Sequence, residues 1–405
     1  MPENYNRLFY GSCFALITTA LSFSIRAGIL PQLGVELGLS AEQLGLINSM
    51  WFFGFPISMV IGGLVYHTVG GKRIMQFAFF AHGVGIIMTI YSGSYIGLLI
   101  STFLIGLGNG CTEAACNPMI ADAYQGNTMS KMMNRFHMWF PGGIVIGSLV
   151  SKFMTDAGTT WEAQIWVIII PTIVYAYLFF GQDWPKAKTA EEASIVGNLK
   201  AMFSPLFIFM MVCMALTAIT EFGPQQWVGL ILAKSGAQPM IILALVTGLM
   251  AVARYFGGEV VHKFDQTGVL LGSAVLATIG VYLFSTQTGG MAYVAAVFFA
   301  LGIAYFWPNM IGFIADKIPS SGAFGMSIVG AVGMFSTSIW QPVIGGWIDS
   351  DKAEAADMGL TGDELELVSG QATLGTMVAF PAVLIVLFTI LLFWVKKRKE
   401  SASAD

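Results

Sequence analysis

Apolar runs of about 20 residues recur along this chain, each long enough to cross the roughly 30 Å of bilayer hydrocarbon as a helix. Twelve are read, over residues 7–30, 43–66, 74–92, 96–120, 133–155, 161–181, 204–233, 239–261, 268–286, 290–315, 322–348 and 371–395. Hydrocarbon offers no partner to a backbone N–H or C=O, so runs of this length satisfy themselves as helices. The reading is an all-α integral membrane protein with twelve transmembrane helices. Composition agrees: 56% of residues are hydrophobic and 10% charged, against about 25% charged in soluble domains. The first run exceeds a signal-peptide core and no small-residue cleavage site follows it, so it is expected to stay in the mature protein.

Positive charge sets the expected orientation. Of 19 lysines and arginines, 14 fall on the side of the N-terminus, three on the other side, and Arg26 and Arg254 lie within spans. Both termini are therefore expected in the cytoplasm, with the chain in a bacterial inner membrane. The outer loop "DSDKAEAADMGLTGDELE" reads as a solvated cap. Cys13, Cys111, Cys116 and Cys213 all fall in spans and read as small packing residues, with no disulfide framework and no metal spacing.

A polar stretch after the sixth span, "GQDWPKAKTAEEASIVGNLK", divides the chain into two pseudo-symmetric six-helix halves, residues 1–183 and 204–405, joined by a linker over 184–203. A repeat supports the division. "GGLVYHTVGGKR" begins at Gly62 and "GGEVVHKFDQTG" at Gly257, 195 residues on, each closing the second helix of its half. Duplicated halves around a central pathway suit an alternating-access carrier with its site near the bilayer midplane.

Ionisable groups inside the bilayer cost at least about 2.5–3.5 kcal/mol each by insertion scales, so they are expected to face a cavity or a partner. Asn109, Glu113 and Asn117 follow each other at four-residue spacing in "GLGNGCTEAACNP" and are read as one polar face. Glu113 is the candidate proton site, or else a carboxylate that bonds neighbouring helices; Pro118 is expected to break the helix beside it. Arg26 is positioned to meet Glu113 or a substrate, or to snorkel to the interface. Glu221, Gln225, Gln226 and Trp227 in "TEFGPQQW", Trp307 and Asn309 in "AYFWPNM", and Trp340 and Gln341 in "SIWQP" offer donors, acceptors and aromatic faces suited to a hydroxylated ligand. Asn109, Asn117 and His137 join this list of substrate-site candidates. His82, alone on an apolar helix, is given no role. Arg254 and Glu259 are expected to pair near the cytoplasm, as a structural or gating contact.

"GLGNG" lies within a span, with no preceding strand and no following Lys-Ser/Thr, so it reads as close helix packing and not as a phosphate loop. No nucleophile constellation, metal cluster, cofactor motif or nucleic-acid patch appears. The expected partners are a small-molecule substrate, protons and lipid, with no cofactor, no nucleic acid and a monomeric chain.

The loop after the second span resembles the signature of the major facilitator superfamily: Gly63, Gly70, Lys72 and Arg73 match, while His67 stands where an acid is usual. The resemblance implies a gating role for the four matching residues. "GLGNGCTEAACNP", "MNRFHMWFPGG" and "TEFGPQQW" are similar to the fucose/proton symporter family of sugar permeases, which implies proton coupling and sugar binding at Glu113. Ala27 stands where those permeases carry a first-helix aspartate, and His137 and Phe140 replace their Gln and Asn. "IRAGILPQLGVELGLSAEQLGLINS" is similar instead to the anion:cation symporters, which carry sugar acids and other carboxylates on a first-helix Arg; Ile25 replaces the acid that usually precedes it. The expectation is proton-coupled import of a sugar or sugar derivative, with symport of organic anions such as sugar acids as the alternative.

Overall fold

The computed structural model describes residues 3–124, 126–185 and 200–404. Among these all regular structure is helical, and most of the expected linker, residues 186–199, lies outside them. The helices group into two compact units.

The first unit spans Met1–Glu192 and takes in two distant segments, Gln226–Leu230 and Thr337–Asp349. Its helices are α1 (Glu3–Leu37), α2 (Ala41–Val69), α3 (Gly71–Tyr91), α4 (Tyr95–Ala123), α5 (Gly126–His137), α6 (Trp139–Asp156) and α7 (Trp161–Phe179). The second unit holds the rest of α8 (Pro205–Ile231) and α13 (Gly322–Asp357), together with α9 (Pro239–Tyr255), α10 (Gly257–Thr286), α11 (Gly290–Ile303), α12 (Phe306–Lys317), α14 (Gly362–Met377) and α15 (Ala379–Ala404). Among the described residues, ten stretches are long and apolar enough to cross a membrane; the other two spans are α5 with α6 and the shorter α9.

Four spans are broken; the eighth parts at Phe256 between α9 and α10, and in the other three a proline follows the break. A proline lacks an N–H and crowds the carbonyl four residues back. Thus α5 ends at His137 ahead of Pro141, α11 stops before Ala304 ahead of Pro308, and α14 ends at Met377 ahead of Pro381. Pro118 behaves otherwise. The expected break beside Glu113 is absent, and α4 runs unbroken through Pro118 to Ala123. Neighbouring helices hold such a proline within a membrane helix.

In the first unit α2 and α4 meet backbone to backbone. A methyl on Gly106 would lie 2.5 Å from the Trp51 carbonyl oxygen, and one on Gly110 would collide with that of Phe55. The glycine run of the fourth span thus lets two helices approach within van der Waals contact, which lipid cannot drive by hydrophobicity. Helix α2 begins with a capping box: the Ser40 hydroxyl accepts from Gln43 N, and the Gln43 side chain accepts from Ser40 N. The Asp349 carboxylate also accepts from Ala41 N and Glu42 N, at 2.9 Å each, and so neutralises the positive end of the helix.

The 195-residue repeat reappears in backbone conformation. Gly70 has φ 85° and ψ 145°, and Asp265, 195 residues on, has φ 58° and ψ 158°. Glycine adopts this region freely, whereas an L-residue there costs about 1–3 kcal/mol. Asp265→Gly is accordingly expected to stabilise the protein by about 1 kcal/mol, read as a higher melting temperature of the purified chain. An unchanged or lower value would mean that contacts of the Asp265 side chain outweigh the relief of strain.

Candidate functional site

In the first unit the central charged group is Arg26 on α1, 6% exposed. Its Nη2 donates to Gln226 Oε1 at 2.8 Å, and Gln226 Nε2 donates to the Phe23 carbonyl at 3.2 Å. The guanidinium lies 5.1 Å from the Trp51 ring centroid and 6.0 Å from that of Phe52, which offers cation–π attraction of about 2 kcal/mol or more in a desolvated setting. Nε is buried without a partner, and among the described residues no carboxylate lies within ion-pairing distance of Arg26. The expected contacts with Glu113 and with the interface are thereby replaced: Arg26 sits inside, held by an amide and two rings.

Trp51 is itself anchored. Its Nε1 donates to Ser22 Oγ at 2.9 Å, and Asn109 Nδ2 donates to the same oxygen at 3.4 Å. Asn109 Oδ1 accepts from His82 Nε2 at 2.9 Å, which leaves His82 Nδ1 to accept from the Tyr175 hydroxyl, also at 2.9 Å. This chain of buried side chains joins α1, α2, α3, α4 and α7. Gly108 makes it possible, since a methyl there would collide with the His82 ring. His82 therefore has a role that its isolated place in the sequence did not indicate; the signal available was the glycine beside Asn109.

The single polar face expected for α4 divides. Residues four apart on a helix are rotated by about 40°, and over two steps the drift reaches about 80°. Asn109 is fully buried and committed to Ser22 and His82, while Glu113 is half-buried and accepts from Asn117 Nδ2 at 2.6 Å. Asn117 Oδ1 is buried and unpartnered among the described residues.

Further buried polar atoms without partners belong to this unit: both side-chain atoms of Asn48 and of Gln341, and Nε1 of Trp227, all on fully buried residues. Trp340 packs at 5.7 Å against Trp347, the two rings tilted by 50°. His137, expected to approach a cavity, is exposed at the C-terminal end of α5, because the helix stops there ahead of Pro141.

In the second unit Glu221 is 3% exposed and pairs with Arg254 at 3.5 Å. Arg254 Nε also donates at 2.8 Å to the Ala304 carbonyl, the one that Pro308 leaves without its helical N–H. Arg254 thus takes Glu221 as its carboxylate partner; the side chain of Glu259 lies outside the described ones. One turn along, Gln225 has both side-chain atoms buried and unpartnered, as is Asn309 Nδ2. Trp307 packs on Phe222 at 6.2 Å and over Gly333. A cavity of about 270 Å³ elsewhere in this unit, lined by Asp265, Gln266, Asp316 and Lys317 among others, includes none of these groups.

Among the expected gating residues, Gly70 makes the turn between α2 and α3, and Lys72 and Arg73 are exposed. Gly63 is exposed with nothing near it; its neighbour Gly62 packs on Ala114 instead. The side chain of His67 lies outside the described ones.

A multi-pass membrane protein whose spans enclose buried polar groups in both of its units has the construction of a solute carrier. The chain belongs to the Major Facilitator Superfamily, whose family model matches residues 12–341, and it is a transporter. It is 27% identical over 177 residues to the hexuronate transporter of Bacillus subtilis (strain 168), a match covering 42% of this chain and 40% of that protein. It is 22% identical over 339 residues to the sialic acid transporter NanX of Escherichia coli (strain K12), covering 79% and 82%. A mutant form of the nucleoside transporter NupG shares the fold, with a TM-score of 0.79 at 13% identity over 96% of this chain and 99% of that one.

Proposed function

We propose that this transporter carries organic anions, sugar acids foremost, by proton-coupled alternating access, with Arg26 as the carboxylate clamp and Glu113 as the proton site. The observation that carries this reading is Arg26 itself, a buried guanidinium with an unpartnered Nε and no carboxylate within ion-pairing distance among the described residues. A neutral sugar can accept hydrogen bonds from it but cannot offset its charge; a substrate carboxylate does both, and the planar fork suits two parallel bonds. The relatives named for hexuronate and sialic acid support the same choice, since both ligands are sugar acids. The anion reading is therefore preferred here over import of a neutral sugar. In this proposal both termini face the cytoplasm of a bacterial inner membrane, and Asn117 and Trp227, in the same unit as Arg26, border the substrate path.

The test is a melting-temperature panel on purified protein with hexuronates and hexonates against neutral hexoses and amino sugars. A ligand that binds the folded state stabilises it by RT ln(1 + [L]/Kd), so millimolar binders register at high concentration. Stabilisation by acids alone is expected. Stabilisation by neutral sugars alone would overturn the anion reading.

A further inference from the structure

We infer that Asn48 and Gln341 form a hydroxyl-reading subsite beside Arg26, which makes the transporter selective for polyhydroxylated acids over plain carboxylates. The inference rests on the anion reading above and adds the residues that set specificity. Asn48 is on α2 and Gln341 on the Thr337–Asp349 segment of α13, both within the first unit. These two stretches lie in close contact: a methyl on Gly45 would fall 2.5 Å from the Gln341 carbonyl oxygen, and Ser49 Oγ lies 2.8 Å from Ser338 Oγ. Asn48 follows Gly45 by three residues and adjoins Ser49; Gln341 follows Ser338 by three. The two segments thus run antiparallel, Gly45 opposite Gln341 and Ser49 opposite Ser338, and the two amides stand about one helical turn apart along one helix pair.

The rings beside Arg26 lie one turn further along α2. Trp51 and Phe52, whose rings flank the guanidinium, follow Asn48 by three and four residues and so share its face of α2. Both amides are 0% exposed, and all four of their side-chain polar atoms lack a partner among the described residues. A buried amide left unpaired destabilises the fold, so its retention at two positions on adjoining turns of this helix pair calls for a ligand that repays it. Each amide offers two donors and a carbonyl acceptor, the complement of a sugar hydroxyl that donates one bond and accepts others. The rings around Arg26 supply apolar faces for the C–H side of the same molecule. Carboxylate at Arg26 and hydroxyls at the amides describe one ligand. Nothing in the sequence motifs singles out Asn48, which lies in the apolar run "LGLINSMWFF".

The experiment compares D-gluconate with hexanoate, which shares its carbon number and carboxylate but lacks every hydroxyl, on the purified full chain. Dissociation constants and ligand-free melting temperatures are measured for the parent, Asn48→Leu, Gln341→Leu and, to remove the amide without adding bulk, Asn48→Ala. The parent is expected to bind gluconate at least about tenfold more tightly than hexanoate, a difference of about 1.4 kcal/mol. In the Asn48 and Gln341 variants that ratio should collapse toward one while hexanoate affinity is kept, and the leucine variants should melt at the same temperature or higher without ligand. An unchanged ratio overturns the subsite. So does a drop in ligand-free melting temperature with equal loss of both acids, which would mark the amides as structural. Failure of the parent to bind either acid overturns the anion reading itself, and the inference with it, a result distinct from the first two.

Discussion

Arg26→Gln is expected to weaken binding of an organic acid about 100-fold or more while leaving the ligand-free protein as stable as the parent or more so. A guanidinium fork makes two charge-assisted hydrogen bonds to a carboxylate, each worth roughly 1.5–3 kcal/mol, so losing both removes about 3 kcal/mol or more. At 1.4 kcal/mol per tenfold, that is a factor of at least about 100. The stability half of the expectation follows from the surroundings. Arg26 is 6% exposed and is held by Gln226, Trp51 and Phe52, with no carboxylate to offset its charge among the described residues. Removing an uncompensated buried charge is not costly to the fold. Arg26→Lys should recover only part of the affinity, because an ammonium keeps the charge but neither the fork nor the stacking on Trp51. Isothermal titration with a hexuronate, beside melting curves without ligand, reads both halves. Unchanged affinity in Arg26→Gln would remove the residue from the substrate site.

Glu113→Gln is expected to abolish accumulation driven by a pH gradient while exchange of substrate across the membrane continues. The substitution keeps the shape of the side chain and an oxygen that accepts from Asn117 Nδ2, the bond now made at 2.6 Å, so the local structure of α4 should persist. What is lost is the proton-binding group. Exchange needs the carrier to cycle only while loaded, but net uptake against a gradient needs a proton to be taken up on one side and released on the other. Reconstituted vesicles separate the two: counterflow should survive, and pH-driven accumulation should fall to background. Undiminished accumulation would place coupling elsewhere, with Glu221, buried beside Arg254, as the next group to replace.

The features legible in the sequence are those that depend on neighbours along the chain. Span positions follow from run length and hydropathy; the breaks ahead of Pro141, Pro308 and Pro381 were not read from the sequence, because Pro31, Pro56, Pro171, Pro224 and Pro342 sit inside continuous helices and proline alone does not say which. The repeat at 195 residues was visible, and it returned as matching backbone angles at Gly70 and Asp265. Even so, local reasoning erred at Pro118, where packing around α4 holds the helix continuous.

Partner choice was a different matter. Arg26 and Gln226 are 200 residues apart, His82 and Tyr175 are 93 apart, and nothing local couples them. Arg254 pairs with Glu221, 33 residues back, and donates to the Ala304 carbonyl that Pro308 frees, 50 residues on. By itself, then, the sequence determined that this chain is a twelve-span helical membrane protein and which polar residues its spans must accommodate, since the energy of placing an apolar or charged group in hydrocarbon is a property of each segment. Only the tertiary structure decided which of those residues satisfy one another and which, such as Asn48, Gln341 and the Arg26 Nε, are left over, because hydrogen bonds require contact between helices that sequence spacing does not specify.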